Sequence, residues 1–409
     1  MGEFKIERSG QTKRSADPFL TCSILLLAAF GFITLYSSSG TSPDKIFPGG
    51  ALFANTISKQ LSCEIIGLML FLIMSFFPLE LVRKAWMPFL MFSGIVVLCI
   101  LPLTPLGLRL NGASRWVRLG SLQFQPSELV KIMLPLYLAH IADRKQKKIN
   151  DLVSGIFPLI ILTGIILYLV IIKQRDFSTG IIIGVNILVL FILCGGKTSY
   201  AITALAIMTI LGVLFIVTSP ERVSRMKVFF NPSYDRQGAG YQVIQSKQTV
   251  ARGSLFGTGI EQNLEEGSIP ETEPDFIFSY FAESFGFIGV LLFFLVFAVF
   301  VVRSFAVAKN SGETFRRLIA AGLTCMLAFQ TMLTVGVAVG LAPVTGIPLP
   351  FFSSGGTSLI VTYMATGIII NISRTPSRSG YPEREGDFSK LHFSKKRGGW
   401  YFFNSGVTR

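Results

Sequence analysis

FPLIILTGIILYLVII, residues 157–172, decides the fold class. It carries no charged side chain, and its hydroxyls are confined to Thr163 and Tyr168. A helix needs about 20 apolar residues to cross bilayer hydrocarbon, and this run with its flanks comes close. ILLLAAFGFITLY (24–36) and IIGLMLFLIMSFF (65–77) repeat the pattern. Backbone amides in lipid must be bonded internally. The runs therefore predict an all-α, polytopic membrane bundle.

Outward from that stretch, ten spans read at roughly 19–38, 60–77, 87–104, 126–142, 153–172, 178–194, 200–218, 276–302, 318–341 and 357–373. Composition agrees: 51% of residues are hydrophobic and 15% charged, where soluble domains carry about 25% charge. The net charge of +14 does not point to nucleic acid. The cations sit at the ends of apolar runs, as the positive-inside rule predicts. Placing the N-terminus inside puts Lys5, Arg8, Lys13, Arg14, Arg83, Lys84, Arg144, Lys145, Lys147, Lys148, Arg303, Lys309, Arg316 and Arg317 on the cytoplasmic side. Ten spans then return the C-terminus to that side too. The polar, basic first 18 residues are unlike a cleavable signal peptide, so the first span is expected to stay as an anchor.

Three regions follow. Residues 1–18 are a cytoplasmic segment, 19–373 the transmembrane domain, and 374–409 a basic tail too poor in apolar residues to fold by itself. Within the domain, 219–275 is a large extracellular loop between spans seven and eight. A loop that long is uncommon unless it is functional. Its YQVIQSKQTV stretch (241–250) reads as a short amphipathic helix at the interface. The five cysteines, Cys22, Cys63, Cys99, Cys194 and Cys325, are scattered without metal-ligand spacing, and His140 and His392 are far apart. Zinc and histidine chemistry are thereby disfavoured.

This topology gathers the polar segments on the outer face. In the 105–125 loop, Arg115 and Arg118 are three apart beside Trp116. They read equally as headgroup anchors and as forked ligands for a phosphate-bearing molecule. Pro126 opens a helix on which Glu128 and Lys131 share one face at i,i+3. Such a pair faces a bundle interior or cavity, as a structural bond or as a functional one. In KQRDFSTG (173–180), Asp176 reads as the cap of the next helix, and Lys173 and Arg175 could help hold an anion. GLAPVTGIPLPFFSSGGTS (340–358) has too many prolines and glycines for helix, and lines a cavity or makes a tight connection.

PETEPDFIFSYFAES (270–284) places Asp275 where polar loop meets apolar run. Asp275 could cap the helix or act as a general base, its pKa raised by a partly apolar site. Glu283 follows two turns further in, offset by about 80°, as a second polar group near the same cavity.

NGASRWVRLGSLQFQPSELVKI (111–132), FNPSYDRQGAGYQVIQS (230–246), PETEPDFIFSYFAESFGFIG (270–289) and GLAPVTGIPLPFFSSGGTS (340–358), in this order, closely resemble the FtsW/RodA/SpoVE family of shape, elongation, division and sporulation (SEDS) proteins. The resemblance covers about 19–373. The family usually has Tyr where Ser354 stands and often Asn where Thr334 stands.

The resemblance implies a peptidoglycan glycosyltransferase that polymerises lipid II at the outer face of the bacterial cytoplasmic membrane. A class B penicillin-binding protein is its implied partner, with lipid II, nascent glycan and other division or elongation membrane proteins, and no nucleic acid. It further implies Asp275 as the catalytic aspartate, Arg115 and Trp116 in the GASRW motif, and Glu128 and Lys131 beside a central cavity. Arg118, Glu283, Ser353 and Ser354 are expected on the substrate side of the same region. Arg115, Arg118 and Lys131 would balance the leaving diphosphate. No cofactor is required by this reading, and a divalent cation such as Mg2+ is an optional addition. The rival readings are a lipid II flippase and a non-catalytic scaffold. FNPSYDRQGAGYQ leans to division-type members, the preferred subgroup, and PVTGIPLPF to elongation-type ones.

Overall fold

The computed structural model describes residues 15–38, 56–84, 86–110, 112–119, 122–145, 150–151, 155–235, 238–259, 276–352, 356–375, 392–396 and 399–403. Twelve α-helices dominate these residues: α1 (Pro18–Ser38), α2 (Thr56–Phe76), α3 (Met87–Ile100), α4 (Pro126–Lys145), α5 (Phe157–Leu167), α6 (Phe177–Leu193), α7 (Thr198–Val217), α8 (Pro220–Phe230), α9 (Ala239–Arg252), α10 (Ile277–Asn310), α11 (Thr314–Ala338) and α12 (Gly356–Ser373). Of these, α1, α7, α10, α11 and α12 are long and apolar enough to cross a membrane, and shorter apolar helices cover 60–76, 87–103, 157–173 and 177–193. The helix at 126–145 is less apolar because Glu128, Lys131, His140, Asp143 and Arg144 lie on it.

Local sequence sets the ends. Proline occupies the first turn of α3, α5 and α8, where its missing amide proton costs nothing. Asp176 caps α6, accepting from the Thr179 amide at 3.2 Å. The α10 helix breaks at Gly286, whose φ of 64° and ψ of −166° suit glycine alone. At the break the turn after α9 bonds onto the opened backbone. Phe287 N donates to Ser254 O at 2.9 Å and Thr258 N to Glu283 O at 2.9 Å. A Cβ at Gly286 would overlap the backbone of residues 255–257.

Packing is tightest where side chains are small or aromatic, as expected when lipid offers no hydrophobic drive between helices. The α2 and α12 helices lie close because Gly67 leaves room for the Tyr363 ring, and Tyr363 donates to the buried Glu64 carboxylate. Phe281 and Phe293 each meet Phe352 edge-on at 5.5 Å. That cluster seats the non-helical 339–352 segment on α10.

The 105–125 segment is not the plain loop that the sequence suggested. It forms an antiparallel sheet of β1 (Gly107–Leu110), β2 (Ala113–Leu119) and β3 (Leu122–Phe124), in the order β1-β2-β3. Leu108 faces Trp116 and Val117 faces Phe124. In the tail, β4 (His392–Lys396) and β5 (Gly399–Phe403) pair as an antiparallel hairpin.

Ion pairs close the end of the bundle opposite the sheet. Arg83 meets Asp143 at 3.1 Å and Glu313 at 3.2 Å, while Arg316 meets Glu80 at 2.7 Å. Arg303 pairs with Asp17. These bonds tie the ends of α1, α4, α10 and α11 together.

Candidate functional site

The sheet fixes the first two cations. Strand side chains alternate between faces, so Arg115 and Arg118, three apart on β2, lie on opposite faces. The two arginines therefore do not share one face of the sheet. Trp116 shares the Arg118 face and is half-buried. Arg115 reaches across to the turn before α6, where its Nη2 donates to the Arg175 carbonyl at 2.5 Å.

That turn is held from several sides. The Gln174 amide donates to Cys99 O at 2.7 Å. Gln125 Nε2 donates to Asp176 Oδ2 at 2.9 Å and to Ser127 Oγ at 3.1 Å. Ser178 Oγ donates to Thr345 O at 2.5 Å. Asp176 is thus both the cap that the sequence suggested and the link to the residue before α4. The Gln125 amide donates in turn to Thr357 Oγ at 3.3 Å. The sheet, the α6 turn, the 339–352 segment and the start of α12 converge at one end of the bundle.

Beneath this rim lies the pair that the i,i+3 spacing predicted. Lys131 Nζ sits 2.7 Å from Glu128 Oε1, with the side chains 2% and 3% exposed. Charges this deep need further bonds to offset their lost hydration. Lys131 finds one in Gln330 Oε1 on α11, at 2.9 Å. The same amide gives its Nε2 proton to Pro348 O at 2.7 Å, and Thr334 Oγ donates to Ile347 O at 3.1 Å. Lys131 is therefore committed to orienting Gln330, and through it the proline-rich segment. Glu128 Oε2 is buried with no partner.

At the α9–α10 junction, Arg252 Nε meets Glu283 Oε1 at 3.1 Å. Ser246 anchors the other face of α9, bonding Ser279 Oγ at 2.6 Å and Ala338 O at 2.7 Å. Gln248, Ala251 and Arg252 line a surface cavity of about 440 Å³. Asp275, Ser353 and Ser354 lie outside the described residues. The next residue after Asp275, Phe276, is fully buried. Among the described residues, no three His, Cys, Asp or Glu side chains gather as a metal site would require.

Sequence reasoning missed Gln330, Arg252, Gln125 and Arg222. Gln330 lies 199 positions from Lys131, in the part of α11 beyond Arg317 whose other polar side chains are threonines. A lone glutamine in such a span was the one available signal, because a buried amide needs partners.

Residues 18–378 match the profile of a family described as cell cycle proteins and labelled FtsW, RodA and SpoVE. The probable peptidoglycan glycosyltransferase FtsW of Trichlorobacter lovleyi is 32% identical over 87% of this chain and 93% of its own length. Stage V sporulation protein E of Bacillus subtilis is 34% identical over 88% and 98%. Among solved structures, a chain from a peptidoglycan synthase complex, described as coordinating polymerization and crosslinking, superposes with a TM-score of 0.73. It is 27% identical and covers 88% of this chain and 98% of its own. Thermus thermophilus rod shape determining protein RodA shares the fold at a TM-score of 0.65 and 24% identity, over 88% and 97%.

Proposed function

Because the chain belongs to the FtsW/RodA/SpoVE family, we infer that it is a peptidoglycan glycosyltransferase of the bacterial cytoplasmic membrane. Its preferred substrate in this reading is lipid II. The observation that carries the reading beyond family membership is the convergence of β2, the α6 turn, the 339–352 segment and α9 at the end of the bundle away from the Arg83, Arg303 and Arg316 ion pairs. The opposite end holds Arg83, Arg303 and Arg316, so the positive-inside rule assigns the sheet end to the outer face.

The chemistry assigned to that end is inverting transfer. A hydroxyl of one sugar attacks the anomeric carbon of the other, and a new C–O bond forms. The bond from that carbon to the diphosphate oxygen breaks, and its electron pair leaves with undecaprenyl diphosphate. Asp275 takes the hydroxyl proton as general base. Diphosphate departs without protonation when cations meet its growing charge, and Arg115 is the cation that the sheet sets at the rim. Glu128, Lys131 and Gln330 act one layer below, holding the proline-rich segment in place. The crosslinking partner would be a class B penicillin-binding protein, and cell division is the preferred setting.

The buried Glu128–Lys131 pair would also suit a lipid transporter. Purified protein incubated with labelled lipid II in detergent separates the two, since flipping needs a bilayer and polymerisation does not. Glycan polymer from the purified chain alone, or with its partner, is the expected result. Lipid II movement across sealed vesicles without polymer would replace this reading by the transporter.

A further inference from the structure

Guanidinium groups close together repel unless anions lie between them. Arg115 meets the turn that carries Arg175 beside β2, and Arg222, from a third part of the chain, lies near enough to feel both charges. Arg115 is bonded to the Arg175 carbonyl at 2.5 Å. Arg175 adopts a left-handed backbone, φ 58°, a conformation uncommon for a residue with a Cβ and characteristic of functional turns. Arg222 arrives from α8. Its guanidinium lies 3.5 Å from the centre of the Phe215 ring and donates to Phe215 O at 2.9 Å. The Phe215 ring packs 5.4 Å from that of Phe177, two residues beyond Arg175.

The carboxylates near this corner have bonding partners of their own. Asp176 is bonded to Gln125 and to the Thr179 amide, and Glu221 is paired with Arg225 at 3.0 Å. Among the described residues, Arg115, Arg175 and Arg222 form no ion pair, whereas Arg83, Arg303 and Arg316 at the far end all do. Arg115 Nε is buried without an acceptor. Burial pushes the Arg222 guanidinium below its usual value, with Arg175 and Arg115 acting in the same direction and Glu221 against it. A corner of arginine forks without an ion-paired carboxylate is shaped for an anion with several oxygens. Val213, Leu214 and Val217, exposed along the end of α7 that leads into α8, offer a lipid tail a path to it.

We propose that Arg115, Arg175 and Arg222 form one binding site for a lipid-linked phosphate or diphosphate ester, with Arg175 and Arg222 completing the grip on the diphosphate. Naming the ligand as the glycosyl donor rests on the glycosyltransferase reading; the existence of an anion site does not. The same ester chemistry is offered by undecaprenyl diphosphate and by anionic phospholipid headgroups.

The test uses the full chain in nanodiscs of zwitterionic lipid, with fluorescent undecaprenyl diphosphate as the probe. Arg222→Gln and Arg175→Gln should each weaken binding about tenfold, the loss expected for one charge-assisted hydrogen bond. Arg222→Lys, which keeps the charge, should retain part of the affinity, and thermal melts should show every variant folded. Inorganic pyrophosphate should compete with the probe, and phosphatidylglycerol up to half the bilayer should not. Equal displacement by phosphatidylglycerol would make the corner a headgroup anchor and overturn the donor assignment. Affinity unchanged within about twofold in both glutamine variants would overturn the site itself. Probe binding that the variants lose, in a protein that makes no polymer, would leave the site standing and defeat the enzymatic reading instead.

Discussion

At one end of the bundle Arg83 lies 3.1 Å from Asp143 and 3.2 Å from Glu313, and Arg316 lies 2.7 Å from Glu80. At the other, Arg115, Arg175 and Arg222 have no carboxylate in bonding range among the described residues. Both clusters are built of arginine, so residue type alone does not distinguish their roles; partners do. Where carboxylates saturate the cations, the cluster is complete and serves to clamp helix ends. Where nearby carboxylates are spent on a cap and on an i,i+4 pair, the cations await a charge from outside. The buried Glu128–Lys131 pair between the ends belongs to the saturated kind, although it sits close beneath the open one.

The largest effect that would test this contrast comes from the buried pair. Lys131→Met strands a carboxylate in the bundle and should cost about 3–5 kcal/mol of stability, read as a lowered Tm in detergent. Glu128→Gln combined with Lys131→Met should recover most of it. An unchanged Tm in the single variant would mean that the pair is hydrated and the saturated interior a misreading. At the open end, Arg115→Gln should lower kcat/KM for lipid II about tenfold with little change in Tm. A fall in Tm with kcat/KM unchanged would reverse the assignment of the two ends. The smallest effect belongs to the clamp. Arg83 is 36% exposed, and screening limits such pairs, so Arg83→Gln should cost at most about 1 kcal/mol. Its polymerisation rate should equal wild type at a temperature where both are folded.

Much of this was legible in the sequence, and for identifiable reasons. The apolar runs gave helices because lipid permits little else. The Glu128–Lys131 bond and the Asp176 cap followed from spacing within one turn, which local geometry determines. The sheet at 107–124 was hidden: Ser114, Trp116 and Arg118 alternate with Arg115 and Val117, but both sets mix polar and apolar residues, so no face stands out. The break at Gly286 was masked by an apolar run that continues on either side of it. Gln330 had only its lone amide as a signal, because Lys131 lies 199 positions away, and Arg222 was not recognised because Arg115 and Arg175, the charges beside it, come from other parts of the chain.

The central claim is that the open end performs glycosyl transfer with Asp275 as its base, and the most direct measurement is the initial rate of lipid II polymerisation by wild type and Asp275→Asn. A general base typically contributes about 10²–10⁴-fold. The account predicts a loss of that size, with normal membrane insertion and an unchanged Tm. An Asp275→Asn protein that polymerises lipid II at the wild-type rate would contradict it.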